Sequence, residues 1–256
     1  MKILAIGDLV GNCAINELKT KLPKICAQEK IDFIIVNGEN VAEGMGMTEK
    51  NFHDILDQKV DVITMGNHTW GKKDIFKFID HPKIIRPANY SKPVPGKGYN
   101  VYECKGKKIA VINLIGRVDM NVLSDNPFLI AKSIIEKIKN QVDIIVIDFH
   151  AEATAEKIAM SYYLDGEATI IFGTHTHVQT ADERILPKGT AYITDLGMTG
   201  PKNSVIGMNI DSSLKRFETS LPEKYKIAEG ECKLNGVVFE IDDNTNKALN
   251  IKRIQM

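Results

Sequence analysis

Short runs of apolar residues alternate with amphipathic stretches along most of this chain. Continuous apolar runs that end at polar residues or glycine are typical of strands that a parallel sheet buries on both faces. They predict strands at residues 2–6, 32–36, 60–65, 99–104, 108–114, 143–149, 168–172, 190–194, 237–241 and 249–254. Apolar residues at helical spacing predict helices at residues 14–29, 48–58, 74–79, 127–140 and 154–164.

This alternation predicts an α/β fold whose strands are at least partly parallel. Because the last strands follow one another without long helices, we expect two mixed sheets packed face to face as a sandwich, with helices outside. We expect residues 1–256 to form a single domain. Residues 9–12 are predicted to form a turn and residues 82–100 an irregular connection, and we expect Pro23 to kink or split the first helix.

The composition is that of a globular protein without a dominant charge. Of 256 residues 43% are hydrophobic, and 33 basic residues balance 33 acidic ones, so the formal net charge is zero. A chain without a basic excess has no global field to hold extended nucleic acid, so none is expected as a partner. A small anionic substrate remains compatible with this charge, because charges can still be arranged locally.

Cysteine usage and hydropathy indicate the compartment. The cysteines show no paired zinc spacing, so we expect reduced thiols in a cytoplasmic protein. No apolar run approaches the roughly 20 residues that span a bilayer, and the N-terminus becomes polar too early for a signal peptide. We therefore expect no membrane partner. The cysteines are Cys13, Cys26, Cys104 and Cys232.

Side chains with metal-binding chemistry follow five of the predicted strands. They are Asp8, Glu39 with Asn40, Asn67 with His68, His150, and His175 with His177. The carboxyl ends of parallel strands share one edge of a sheet, so these side chains can converge although they lie far apart along the chain. Residues i and i+2 of an extended segment point to the same side, so we expect His175 and His177 to face one site.

The donor set indicates which metals would bind. Imidazole, carboxylate and amide groups suit divalent Mn, Fe, Zn or Co, and the lack of a thiolate argues against a structural zinc site. The set offers more ligands than one ion can use, so we predict two ions that share a bridging carboxylate. Paired ions of this kind activate water and clamp a phosphoryl group. We expect Fe or Mn, with Zn, Co or Mg as alternatives.

The order of these blocks resembles the calcineurin-like metallophosphoesterases. That superfamily carries Asp-x-His, Gly-Asp, Gly-Asn-His, a lone His and Gly-His-x-His, and the likeness extends from residue 1 to about residue 210. This chain departs from the pattern in two places. It has Val10 where the superfamily has a ligand histidine, and it has Glu39 and Asn40 in the second block. Both departures, with Gly-Thr-His-Thr-His, resemble the YmdB-like subfamily of bacterial cyclic-nucleotide phosphodiesterases.

The resemblance implies a role for each block. One ion would be held by Asp8, Glu39, Asn40 and His177, and the other by Glu39, Asn67, His150 and His175. Glu39 would bridge the ions, and Asn40 would replace the histidine that is absent at Val10. A metal-bound hydroxide would attack the phosphorus, and His68 would either protonate the leaving oxygen or donate a hydrogen bond to the phosphoryl oxygen. The resemblance also implies a metallophosphoesterase-type sandwich and small phosphodiester substrates, above all 2′,3′-cyclic nucleotides.

Two other functions fit the same residues. One is a phosphomonoesterase or protein phosphatase on the same metal core. The other is a regulatory protein that acts through RNA or protein partners and whose metal site is mainly structural. For assembly, base rates favour a homo-oligomer such as a dimer or tetramer.

Several loop residues have both a structural and a functional interpretation. We interpret Arg86, Arg117 and Lys202 as solvated cations rather than phosphate ligands, and Trp70 as a core residue beside the site. Asp195 follows a strand, where a turn role and a site role are equally supported. Four methionines would form either an apolar wall for a base or packing contacts. They are Met45, Met47, Met198 and Met208.

Overall fold

The computed structural model describes residues 1–91, 93–224 and 226–256. Its strands are β1 (Lys2–Ile6), β2 (Asp8–Leu9), β3 (Phe33–Asn37), β4 (Val62–Thr64), β5 (Ile84–Ile85), β6 (Tyr99–Cys104), β7 (Lys107–Ile115), β8 (Ile144–His150), β9 (Ile170–Thr174), β10 (Arg184–Ile185), β11 (Ala191–Ile193), β12 (Met198–Pro201), β13 (Cys232–Lys233), β14 (Asn235–Ile241) and β15 (Ala248–Gln255). Its helices are α1 (Gly11–Glu29), α2 (Glu49–Leu56), α3 (Pro127–Ile138), α4 (Thr154–Tyr163) and α5 (Ile210–Thr219), with a short 3₁₀ helix at Lys73–Lys77.

The strands form two six-stranded mixed sheets and one small sheet. The first large sheet has the order β15-β14-β1-β3-β4-β5, and the second has the order β10-β11-β9-β8-β7-β6. Each of them contains a parallel group, β1-β3-β4-β5 in the first and β7-β8-β9-β11 in the second. Antiparallel strands adjoin this group on one side in the first sheet and on both sides in the second. The small sheet, β13-β12-β2, pairs β2 in parallel with β12.

The two large sheets pack face to face, which confirms the predicted sandwich. Their inner faces share one buried apolar cluster, in which Phe33 and Phe239 of the first sheet meet Val146 and Phe172 of the second. Burial of this surface is the main term that holds the sheets together. The outer face of the first sheet packs against α1 and α2, and that of the second packs against α3 and α4.

Several predicted boundaries are wrong in detail. The predicted turn at residues 9–12 is instead the end of β2 and the start of α1, which begins at Gly11 rather than at residue 14. Pro23 lies inside α1 without splitting it. The helix predicted at residues 74–79 is a 3₁₀ helix, and the irregular connection at residues 82–100 contains β5. Thr48 caps α2, since its side chain accepts the backbone N–H of Asn51.

The structure also has elements that the pattern does not predict. The short strands β2, β5, β10, β12 and β13 hold two to four residues each, too few to show a period. Helix α5 is not predicted either, and none of its residues is buried. Within the described ranges, no helix combines the length and the apolar character that crossing a membrane requires.

Candidate active site

The predicted site residues meet at the carboxyl ends of the parallel strands, where the edges of the two large sheets adjoin. Asp8 lies in β2, and the other side chains lie at or just after the ends of β3, β4, β8 and β9. A cavity of about 380 Å³ opens beside them. Its lining residues are Glu39, Asn40, Glu43, Gly44, Met45, Asn67, His68, Glu152, His175, Thr176, His177, Ile206 and Met208.

Glu39 is the fully buried centre of the cluster. Its Oε2 accepts the backbone N–H of His68 at 2.9 Å, and its Oε1 lies 3.2 Å from Nε2 of His150. One ligand atom each from Glu39, His150 and His175 lie within 4.8 Å of one another, which is compatible with a shared ion. A Cβ at Gly66 would overlap Glu39 Oε2 and His150 Nε2, so only glycine leaves room for these groups.

Each of the three histidines binds an acceptor through one ring nitrogen and turns the other toward the cluster. Nδ1 of His177 lies 2.8 Å from the carbonyl oxygen of Ile206, and Nε2 of His175 lies 3.1 Å from Oε2 of Glu152. Nδ1 of His150 lies 2.9 Å from Oγ1 of Thr174. Metal-binding histidines are typically held in this way, because the outer hydrogen bond fixes the tautomer and the ring orientation. The arrangement therefore fits a divalent cation.

A buried chain of hydrogen bonds fixes the orientation of His150. Thr174 donates its hydroxyl to Oδ1 of Asp148 at 2.7 Å, and Thr64 donates to Oδ2 at 2.5 Å. A hydroxyl carries one proton, so Thr174 must accept the Nδ1–H of His150. Nε2 of His150 then faces Oδ1 of Asn67, which is 2.8 Å away, and Oε1 of Glu39.

Asp8 and Asn40 occupy the other end of the cluster. Oδ2 of Asp8 accepts the backbone N–H of His175 at 3.2 Å, whereas its buried Oδ1 has no hydrogen-bond partner among the described residues. Nδ2 of Asn40 lies 3.1 Å from Nε2 of His177, and its Oδ1 lies 2.7 Å from Nδ1 of His68. A buried carboxylate oxygen without a donor is costly unless a cation binds there, so Asp8 also fits a metal site.

Burial and mutual charge shift the pKa values of the cluster. Burial raises the pKa of Asp8. Burial alone would also raise the pKa of Glu39, but the nearby His150 charge holds it well below its usual range. Burial opposes the charged form of His150, yet Glu39 raises its pKa to about 9. Burial and the His150 charge lower the pKa of His175 to about 3, so His175 is a neutral donor at neutral pH.

The loop that carries His175 and His177 is a strained turn rather than the extended segment that the spacing predicted. Their φ angles are 101° and 65°, a region that residues other than glycine seldom adopt. A buried ion pair supports the turn, since Lys157 Nζ lies 2.7 Å from Oδ2 of Asp195. That same oxygen accepts both the backbone N–H and the hydroxyl of Thr176, at 3.2 and 2.8 Å. Asp195 thus holds in place the turn that carries His175 and His177.

The three basic candidates and Trp70 are not among the residues that line the cavity. Arg86 is not a solvated cation: it is buried and donates to backbone carbonyls, including that of Pro87 at 2.8 Å. Arg117 and Lys202 are exposed, and Trp70 packs against Phe76 and Tyr90.

The four candidate methionines divide between the core and the cavity wall. Met47 and Met198 are buried in the core, whereas Met45 and Met208 line the cavity. Val10, where the superfamily has a histidine, is buried close to Gly200 and Gly207.

Sequence reasoning missed the groups that hold the histidines in place. Asp148 precedes His150 by two residues, Thr174 precedes His175, and Glu152 follows His150 by two. Their closeness to predicted ligands was the available signal. The acceptor at Ile206 left no such signal, because it is a backbone carbonyl.

Comparisons with known proteins agree with this arrangement. The family model described as YmdB-like protein matches residues 4–254. The chain is 52% identical to a 2′,3′-cyclic-nucleotide 2′-phosphodiesterase of Bacillus subtilis (strain 168), over 99% of this chain and 96% of that protein.

Two solved structures superpose on nearly the whole chain. A hypothetical protein from Thermus thermophilus is 34% identical with a TM-score of 0.94, covering 100% of this chain and 99% of that one. A novel phosphatase from Mycoplasma pneumoniae is 39% identical with a TM-score of 0.95, covering 100% and 93%. Sequence and fold therefore place this chain in the YmdB-like protein family.

Proposed function

We propose that this protein is a dinuclear metal-dependent phosphodiesterase that hydrolyses 2′,3′-cyclic nucleotides. The main supporting observation is that three imidazoles are each held through one nitrogen and direct the other toward the carboxylates of Glu39 and Asp8. The name of the B. subtilis relative supports the substrate class and the 2′ ester bond as the bond that breaks. Cleavage of that bond yields a 3′-nucleotide.

The donor set divides between two ions. Asp8, Asn40 and His177 would hold one, Asn67, His150 and His175 would hold the other, and Glu39 would bridge them. When bound, the ions supply the positive charge that acidifies a water molecule and offsets the charge that develops on the phosphoryl oxygens. Thr174, Glu152 and the carbonyl of Ile206 keep the three imidazoles oriented.

His68 is the proton donor in this proposal. Its Nδ1 is held by Oδ1 of Asn40 at 2.7 Å, so Nε2 is the nitrogen left for proton transfer. The ring lines the cavity and is partly exposed. Breaking the ester bond leaves an alkoxide on the ribose, and a proton from Nε2 of His68 converts it to the 2′-hydroxyl.

The first experiment measures hydrolysis of 2′,3′-cyclic AMP with added Mn or Fe(II) by the wild type and by His68→Ala. Metal content is measured in the same samples. We expect the variant to lose roughly 100-fold or more in kcat while it keeps two ions per chain. Unchanged turnover would remove His68 from the mechanism.

A second comparison addresses the class of ester. The wild type is expected to hydrolyse bis-p-nitrophenyl phosphate faster than p-nitrophenyl phosphate. The reverse order would favour a phosphomonoesterase, and no turnover with two ions bound would favour a regulatory role. A dimer or tetramer and a cytoplasmic location remain predictions.

A further inference from the structure

We propose that the cavity beside the metal cluster contains a base-binding subsite, formed by the apolar wall Gly44, Met45, Ile206 and Met208. The proposal rests on the proposed function. The polar side of the cavity carries the cluster and His68, and the apolar wall forms part of the remaining lining. Ions and a phosphoryl group would contact only the polar side of the cavity. The apolar wall is therefore left to bind a different part of the substrate.

The wall presents apolar side chains to solvent where the fold does not require it. Met45 is 42% exposed and Ile206 is 50% exposed, although Met47, two residues after Met45, is fully buried. The wall is continuous, since a Cβ added at Gly44 would lie 3.0 Å from Cε of Met208. Apolar groups gathered on the wall of one cavity indicate a binding surface, unlike apolar residues scattered over a surface.

The backbone of Ile206 gives a second, independent observation. Val205 and Met208 exchange two backbone hydrogen bonds of 2.9 Å around Ile206 and Gly207. The φ angles of these two central residues are 48° and 101°. Positive φ at both positions is the pattern of a type I′ turn, which favours asparagine or glycine at the first position. A β-branched residue there is strained, and such strain is typical of residues retained for contact with a ligand.

The wall is tied to the metal ligands on both of its sides. The carbonyl of Ile206 holds Nδ1 of His177, so one imidazole ring separates the wall from the cluster. On the other side, Gly44 donates its N–H to the carbonyl of Asn40 at 3.0 Å. A ribose ring is the only spacer between a 2′,3′-cyclic phosphate and its base. A phosphate at the ions therefore places the base within reach of the wall.

The chemistry of the wall predicts how selectively it binds the different bases. Methionine and isoleucine side chains offer dispersion and sulfur–aromatic contacts to a flat ring. They offer no donor or acceptor to distinguish one base edge from another. Glu43 lies at the rim, but its carboxylate pairs with Lys72 at 3.1 Å. We therefore expect all four bases to bind, with purines favoured by their larger area.

The test compares two substrates that differ only in the base. They are 2′,3′-cyclic AMP and methyl β-ribofuranoside 2,3-cyclic phosphate, in which a methoxy group replaces adenine. We expect Ile206→Asn to lower the ratio of kcat/KM for the nucleotide to kcat/KM for the methyl riboside by about 3- to 10-fold. Asparagine suits the turn, so the variant should fold at least as stably as the wild type.

A matched variant and a second variant complete the design. Leu214→Ala removes an equally exposed aliphatic side chain of α5 that does not line this cavity, and it should leave the ratio unchanged. Met45→Ala should lower the ratio as Ile206→Asn does. An equal loss on both substrates, or an unchanged ratio in both wall variants, would overturn the subsite.

Binding of the products separates this proposal from the proposed function. Calorimetry on the metal-loaded protein compares 3′-AMP with methyl β-ribofuranoside 3-phosphate. Tighter binding of 3′-AMP that is lost in Met45→Ala supports the subsite even if the wild type hydrolyses neither substrate, a result that would contradict the proposed function alone. Equal binding of the two ligands by the wild type overturns the subsite and leaves the proposed function standing.

Discussion

Single hydrogen bonds decide which nitrogen each of the three histidines would offer to a metal. His150 shows this most clearly, because its Nδ1–H donates to the hydroxyl of Thr174, and that hydroxyl itself donates to Asp148. The direction in which the Thr174 hydroxyl donates its proton thus sets the tautomer of the His150 ring. The same logic holds for His175 with Glu152 and for His177 with the carbonyl of Ile206.

Replacing Thr174 tests this orientation. Thr174→Val keeps the shape but removes the acceptor, and outer contacts of this kind are worth roughly 10- to 100-fold in metal affinity. We expect a loss of that size for one ion, measured by competition with a chelator. Thr174→Ser keeps the hydroxyl and should bind both ions as the wild type does. Equal affinity in the valine and serine variants would show that the hydroxyl does not orient His150.

The Glu39–His150 pair predicts how stability depends on pH in the metal-free protein. The folded pKa of His150, about 9, lies above its unfolded value of roughly 6.5. The stabilisation from its charged form is therefore fully present below about pH 6.5 and is lost as the pH rises through 9. Urea unfolding in EDTA between pH 6 and 9.5 should show this fall in the free energy of unfolding. His150→Asn should flatten it, and an equally steep fall in that variant would assign it to other groups.

Candidate site residues could be predicted from the sequence where a metal-binding residue type directly follows an apolar strand. Asp8, Glu39 and the histidines stood out because carboxylates and imidazoles directly follow apolar strands. The groups that orient them did not stand out, because threonine and glutamate are ordinary residues near a turn. The acceptor on Ile206 is a backbone atom that every residue carries, so only the fold identifies it.

Among the elements, the loop after β9 has a strained backbone at the candidate site. It holds His175 and His177 at positive φ, and the buried pair Lys157–Asp195 anchors it through Thr176. Helix α4 supplies Lys157, and a Cβ at Gly173 would come within 2.8 Å of Cδ of that lysine. The ion pair between Lys157 of α4 and Asp195, which follows β11, therefore lies beside the loop that carries the two histidines.

Breaking that pair should destabilise the protein strongly. In Lys157→Met the carboxylate of Asp195 stays buried without its cation, which typically costs about 3–5 kcal/mol. We expect a loss of this size in urea unfolding, together with weaker metal binding as the turn relaxes. Lys157→Met combined with Asp195→Asn removes both charges and should recover part of the stability. A double variant no more stable than the single one would show that the buried charge is not the cause.

Strands were predictable where they are long and apolar, and helices where they have a buried face. The pattern found β1, β3, β7 and β8 for that reason. The missed strands, such as β2 and β10, hold too few residues to show a period, and they form because neighbouring strands pair with them. Helix α5 was missed although Ile210, Leu214 and Phe217 have helical spacing. That spacing is the signal that could have found it.

At the scale of the whole molecule, the sandwich brings the strand ends together. Parallel strands in both large sheets end at adjoining edges, so residues 8 to 177 contribute to one cluster. Fold class and convergence followed from the alternation of strands and helices. The cavity wall at residues 205–208 could not be predicted in this way, because it depends on how this turn packs against the loop at residues 43–45. The single domain stays a prediction.

Removing the metals should lower the stability of the whole molecule. The cluster forms only in the folded state, so ions that bind it stabilise by mass action, by about 2.7 kcal/mol per site at 100 times the dissociation constant. We expect the unfolding temperature to fall in EDTA and to recover when Mn is restored. Asp8→Asn should show a smaller difference between the two conditions. If EDTA left the unfolding temperature of a verified metal-loaded sample unchanged, that result would contradict a metal site in the native state.

The place of β1 in its sheet has a consequence for the order of folding. β1 lies between β3 and β14, and Lys2 pairs with Glu240. Both edges of β1 are therefore paired only after a strand from far along the chain has docked, and such distant pairings form slowly. Asp8 follows β1 directly, and His177 lies far from it in the sequence. An ion shared by these two side chains would therefore bind late in folding, after the distant segments have come together.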